Sequence, residues 1–115
     1  ASPGVVQGRV VFNSPDAVAA KANGEDVILV REETSPDDID GMHAAIGILT
    51  KVGGLVSHAA VVARAWEKPC VVGFAEMRLN EVGEDVVSIT VGEHTLDNTN
   101  TIRIDGATGI VTLIS

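Results

Sequence analysis

Apolar residues come in short runs along this chain, each bounded by Gly, Pro, Asn, Asp or Ser. Residues 5–12 have strand composition, with Gly8 as a candidate bulge. Ser14-Pro15 is a helix-start pair, Ser as N-cap and Pro at the first helical position. That helix is expected to run to about Ala22, where Asn23-Gly24 ends it. Residues 27–30 and 46–49 are unbroken apolar runs of buried-strand length. Between them, Ser35-Pro36-Asp37-Asp38 opens a short second helix with its acids in the first turn, where the helix dipole favours them. Residues 51–57 read as a loop and residues 58–67 as a helix, which Pro69 ends ahead of a strand at residues 70–72. Strands are expected again at residues 86–91 and 101–104, and the turn Asp105-Gly106-Ala107-Thr108-Gly109 leads into a last one at residues 110–113. Strands alternate with helices in the middle and stand alone at both ends. That order predicts an α/β domain of two β layers with helices packed on one side.

A length of 115 residues suits one domain, residues 1–115, with no internal linker, repeat or low-complexity tract. Apolar residues make up 45% but aromatics only 3%, with no Tyr, so the core is expected to be Val, Ile, Leu and Ala. The net charge of −8 argues against nucleic acid and anionic membranes as partners. No apolar run approaches the roughly 20 residues of a membrane span, and no signal peptide is visible. The lone Cys70 excludes an internal disulfide and points to a reducing, cytoplasmic setting. One cysteine and three scattered histidines also make a structural zinc site a weak reading.

The densest chemistry lies in Thr50-Lys51-Val52-Gly53-Gly54-Leu55-Val56-Ser57-His58-Ala59-Ala60-Val61-Val62-Ala63-Arg64. A glycine pair leads into Ser-His at a helix start. A helix N-terminus offers unpaired N–H donors and partial positive charge, both of which favour a phosphate. Gly53 and Gly54 let the backbone approach a bulky anion with no Cβ in the way. Imidazole is nucleophilic when neutral near pH 7, so His58 is the candidate phosphoryl acceptor. The plainer reading of His58 is a capping or core histidine bonded to a backbone carbonyl.

Gly53-Gly54-x-x-Ser57-His58-Ala59-Ala60-Val61-Val62-Ala63-Arg64 resembles the phosphohistidine motif of the phosphoenolpyruvate-utilising enzymes. The run from Arg31 to Thr50, the opening Ala1-Ser2-Pro3-Gly4 and the closing Asp105-Gly106-Ala107-Thr108-Gly109-Ile110-Val111 extend the likeness over nearly the whole chain, weakest at residues 83–100. Within the family they look most like the pyruvate phosphate dikinase branch, with phosphoenolpyruvate synthase as the rival. The resemblance implies a swivelling β/β/α domain whose histidine carries a phosphoryl group from an ATP site to a pyruvate or phosphoenolpyruvate site on other domains of one polypeptide. It implies no cofactor or metal on this domain, with Mg2+ on the partner domains. The abrupt start at Ala1-Ser2-Pro3 fits a piece of a longer polypeptide.

Other side chains carry two readings each. Thr50 is either the polar end of a buried strand or, as the motif implies, a hydrogen-bond partner of the imidazole or its phosphate. Ser57 reads as an N-cap, a role compatible with orienting His58 or binding phosphate. Arg64, six residues past His58, is either a surface ion pair or a bidentate docking contact to a partner's phosphate. His43 is expected to be structural, His94 to be solvated in a turn and Cys70 to be a small buried apolar residue. Glu32, Glu33, Asp37, Asp38 and Asp40 are expected to form a solvated acidic face.

Two departures from the dikinase pattern stand out. Leu55-Val56 replaces the usual Met-Thr, so the threonine that is phosphorylated for inhibition in plant-type members is missing. Ala65 and Glu67 stand where small residues are usual. Competing functions are a stand-alone carrier or regulatory module phosphorylated by a separate partner, and a Ser57–His58 hydrolase. The hydrolase is disfavoured because neighbouring residues at a helix start rarely face one another and no G-x-S-x-G elbow is present.

Overall fold

The computed structural model describes residues 4–33, 38–52, 62, 65–66, 68–83 and 85–114. Its elements, in chain order, are β1 (Val5–Val11), α1 (Ser14–Ala22), β2 (Val27–Arg31), α2 (Ile39–Ala44), β3 (Gly47–Thr50) and β4 (Cys70–Val71). They continue as β5 (Met77–Val82), β6 (Asp85–Val91), β7 (His94–Leu96), β8 (Thr101–Asp105) and β9 (Ile110–Leu113).

A six-stranded sheet runs β4-β3-β2-β1-β8-β9, and a three-stranded sheet runs β5-β6-β7. Strands β1 to β4 are mutually parallel, whereas β8 and β9 add on antiparallel. Parallel strands need crossover connections and bury both faces. The sequence supplies this directly: β2 reads Val-Ile-Leu-Val before Arg31, and β3 reads Gly-Ile-Leu-Thr and is buried throughout. The two faces feed two separate cores. Val27, Leu29, Ile48 and Cys70 pack with Ala17, Ala20 and Met42 of the helices, and Val62 and Trp66 lie against the same cluster. Ile28, Val30, Leu49 and Val71 pack instead with Met77, Ile89 and Leu96 of the small sheet. The layers are therefore helices, large sheet, small sheet, which is the β/β/α arrangement expected. Each fully buried Leu or Ile in these layers contributes about 2 kcal/mol.

Several local expectations are corrected. The N-cap of α1 is Asn13, whose side-chain oxygen accepts from the Asp16 amide at 2.8 Å, rather than Ser14. Ser14 instead turns its hydroxyl to Asp38 Oδ1 at 3.2 Å. Gly8 is not a bulge, because β1 pairs with β8 in unbroken register through it. Its missing Cβ serves close packing: one placed there would lie 2.9 Å from Asp26 O. The register shift falls between Asn80 and Glu81 of β5. Strands β5 and β7 were not expected, and His94 opens β7 rather than sitting in the turn, although it is exposed as anticipated. The core also holds Met42, Met77 and Phe12 beside the aliphatic residues. Methionine fills irregular gaps where branched side chains fit poorly.

The two helices meet at Gly41. A Cβ there would lie 2.5 Å from Ser14 Cα and 2.7 Å from Ser14 Cβ. Gly41→Ala is expected to force α1 and α2 apart and to cost about 2 kcal/mol. Thermal or urea unfolding of the variant, read by far-ultraviolet circular dichroism, checks it. An unchanged midpoint would mean that the helices do not touch there.

Candidate functional site

The carboxyl ends of the parallel strands form one edge of the large sheet. In open α/β sheets this edge is where ligands bind, because the chain leaves it in loops that can shape a crevice. Here the edge comprises Phe12 after β1, Arg31 at the end of β2, Thr50 at the end of β3 and residues 72–74 after β4.

Thr50 is central to it. Its side chain is fully buried, its hydroxyl donates to the Val52 carbonyl at 3.0 Å, and its own carbonyl accepts from the Phe74 amide at 3.0 Å. Thr50 is also paired with Arg31 in register. The chain leaving β3 is held against the end of β2: Lys51 N donates to Arg31 O at 3.2 Å, and Val52 N donates to Glu32 O at 2.9 Å. Thr50 thus holds the chain in place as it leaves β3 through Lys51 and Val52. Gly53, Gly54, Ser57, His58 and Arg64 lie outside the described residues. Of the segment that follows, Val62 and Ala65 are helical and Trp66 N donates to Val62 O at 3.1 Å.

The far end of that segment is clamped to α2. The ring of His43 meets Trp66 edge-on, with centroids 5.1 Å apart and planes at 80°. Lys68 Nζ donates to the carbonyls of His43 and Ala45, the last acceptors of α2. A cation at a helix C-terminus satisfies carbonyls that have no partner within the helix. Burial of the Lys68 ammonium, helped by nearby Lys21, lowers its pKa. The structural reading of His43 is therefore supported by its ring contact. Lys68 was not foreseen, since a lysine beside Pro69 carries no local signal of what its side chain reaches.

Arg31 was also not singled out. Its Nη1 donates to Phe12 O at 3.1 Å, and its Nε lies 3.7 Å from Asp38 Oδ2. The acidic face is corrected at Asp38, which is buried at 6% exposure against Arg31 and Ser14, whereas Glu32, Glu33 and Asp40 are exposed and Asp37 lies outside the described residues. A buried carboxylate needs such partners, and the sequence alone did not show them. Beyond Phe74, a cleft of about 300 Å³ opens between residues 71–76 and Gly109, mostly backbone and apolar side chains with Glu76 as its charged member. Among the described residues no three His, Cys, Asp or Glu side chains converge. No helix among them is long and apolar enough to cross a membrane.

Residues 23–109 match the family model described as "PEP-utilising enzyme, mobile domain". The chain belongs to this family. It is 50% identical over 113 residues to the chloroplastic pyruvate, phosphate dikinase of Flaveria pringlei, covering 98% of this chain and 12% of that protein. It is 50% identical over 111 residues to chloroplastic pyruvate, phosphate dikinase 1 of Oryza sativa subsp. japonica, covering 96% of this chain and 11% of the relative. Pyruvate, phosphate dikinase 2 of Zea mays is 51% identical over 113 residues, with 98% and 12% covered. The chain thus corresponds to a small part of these enzymes. A solution structure of Enzyme I (nEIt) aligns with 77% of this chain and 31% of its own, at 27% identity and a TM-score of 0.49.

Cys70 lies fully buried in β4, and burial pushes its thiol up from the ordinary 9.0 to about 11. At pH 8 the folded chain should therefore react with iodoacetamide about 100-fold more slowly than the unfolded chain, from thiolate content alone. Between those two values the folded protein keeps a proton that the unfolded chain gives up, so stability should fall as pH rises through that window. Mass spectrometry of timed alkylation, with and without urea, checks the first statement. Equal rates would show Cys70 to be accessible.

Proposed function

We propose that this chain is the phosphoryl-carrier domain of a pyruvate phosphate dikinase-like phosphotransferase, with His58 as the residue phosphorylated. The observation that carries this reading is the placement of Thr50. It ends a fully buried parallel strand at the carboxyl edge of the sheet, so Gly53-Gly54-x-x-Ser57-His58 follows from the edge where α/β folds bind ligands. Family membership and likeness to the dikinases over nearly the full chain support the same reading.

In this proposal a ring nitrogen of His58 attacks a phosphorus of ATP bound on another domain. The new P–N bond forms as the P–O bond to the nucleotide breaks, and the imidazole proton leaves to solvent or a base. In the second half-reaction pyruvate gives up a methyl proton to a base on its own domain, the P–N bond breaks, and the phosphoryl group passes to the enolate oxygen, giving phosphoenolpyruvate and freeing the imidazole; the sequence runs in both directions. Thr50, Gly53, Gly54 and Ser57 support the imidazole and its phosphate, and Arg64 meets a partner. The chain acts as a single domain, residues 1–115, of a longer polypeptide. Mg2+, ATP and pyruvate belong to partner domains, and the present domain holds no cofactor. The histidine's effective concentration at each site is then set by linkers. The lone Cys70 suits a reducing compartment, either the cytoplasm or an organelle such as the one named for the plant relatives.

The test is phosphate mapping in the whole enzyme. Incubation with ATP labelled in its β or γ phosphate should place acid-labile, base-stable label on His58, and His58→Ala should remove all of it. Label on Ser57 or His43 instead, or full turnover by His58→Ala, would overturn the proposal.

A further inference from the structure

We infer that Asn23 is a site of spontaneous covalent modification, a deamidation whose rate is set by opening of the C-terminal cap of α1. Asn23-Gly24 is the one Asn-Gly pair in the sequence. A glycine hinders attack by its own amide nitrogen on the preceding side chain least, because it has no Cβ. The other asparagines precede larger residues: Ser14 follows Asn13, Glu81 follows Asn80, and Thr99 and Thr101 follow Asn98 and Asn100. In the reaction the Gly24 nitrogen loses its proton and attacks Asn23 Cγ. The new C–N bond forms as the bond to Nδ2 breaks, and Nδ2 leaves as ammonia with that proton. Water then opens one or the other C–N bond of the cyclic imide, leaving aspartate or isoaspartate at position 23.

Solvent reaches this pair freely. Residues 21–26 are all exposed, and a Cβ on Gly24 would meet nothing within 4 Å. What restrains it is backbone hydrogen bonding. Asn23 N donates to Ala19 O at 3.2 Å and Ala20 O at 3.1 Å, Gly24 N to Lys21 O at 2.9 Å, and Glu25 N to Ala20 O at 2.9 Å. The closed cap blocks the reaction twice. Lys21 O engages the proton that the attacking nitrogen must lose, and the imide that forms has no N–H to keep that bond. Asn23 also has a ψ of 2°, which makes Gly24 N eclipse Asn23 N and point away from the side chain it must reach. Both restraints lapse when the last turn frays, and fraying costs less than global unfolding. The products do not rebuild the cap. Aspartate adds negative charge at a helix C-terminus, where the dipole disfavours it, and next to Glu25 and Asp26 in sequence. Isoaspartate lengthens the backbone by one carbon. The modification is therefore one-way and loosens the joint between α1 and β2.

The test is prolonged incubation of the whole protein at pH 8 in ¹⁸O-labelled water, with and without urea, followed by tryptic peptide mass spectrometry. Cleavage after Lys21 and Arg31 releases Asn23 in peptide 22–31, apart from Asn13, Asn80, Asn98 and Asn100. Position 23 should convert with uptake of one ¹⁸O, to both aspartate and isoaspartate, and more slowly in the folded protein than in urea by about tenfold or more. Ala19→Gly, at an exposed position of α1, weakens the helix and should speed the folded reaction about fivefold while leaving the rate in urea unchanged. If Ala19→Gly does not fold, the comparison of folded and urea rates decides. Equal rates with and without urea, or a folded Ala19→Gly protein that converts no faster, would overturn control by the cap. Conversion at Asn23 no faster than at Asn98 and Asn100, or none in the folded protein while the urea sample goes to completion, would overturn the site itself.

Discussion

The rest of the structure depends on burying four short parallel strands on both faces. Strands such as Val27-Ile28-Leu29-Val30 have no polar side to show to water, so each face needs a cover. Parallel pairing supplies one cover through its crossovers, which hold α1 and α2 on one face. With β1 to β4 added in strand order, crossovers of one hand all fall on that face, and the small antiparallel sheet covers the other with Met77, Ile89 and Leu96. The three layers therefore follow from one requirement.

That arrangement also fixes where chemistry can occur. With both faces of the sheet covered, polar groups can gather only at the strand ends. Thr50 and Arg31 stand side by side at the carboxyl end, one fully buried and hydrogen-bonded to its own loop, the other carrying charge. The amino end is used differently: a Cβ at Gly47, the first residue of β3, would lie 2.7 Å from Val6 Cγ2 and 3.0 Å from Ile104 Cδ1, so that end is closed by packing.

The clamp made by His43, Trp66 and Lys68 shows how the helix layer is joined to the segment ahead of β4. Lys68 gives up part of its hydration to bond two carbonyls at the end of α2, and its lowered pKa is the cost of that burial. Such a contact links elements distant in sequence without adding apolar area. It is typical of what local pattern cannot reveal, since nothing near residue 68 names its partners.

The sequence by itself determined the layer class and the positions of α1 and of most strands. Buried strands are unbroken apolar runs, and turn residues punctuate them, so their signals are local. It also marked the end of α1 at Asn23-Gly24, where Gly24 adopts a φ of 75°. Strand β5 was legible in principle, since Met77-Arg78-Leu79-Asn80 alternates, but two exposed charges hid it, and β7 has only three residues. Tertiary structure alone decided that Asn13 rather than Ser14 caps α1, that Gly8 and Gly41 are close contacts, and that Asp38 is buried. It alone turned the guanidinium of Arg31 to the Phe12 carbonyl, with Nε 3.7 Å from Asp38 Oδ2. Each of these depends on what another element brings to within a few ångströms, and no periodicity along one stretch of chain carries that information.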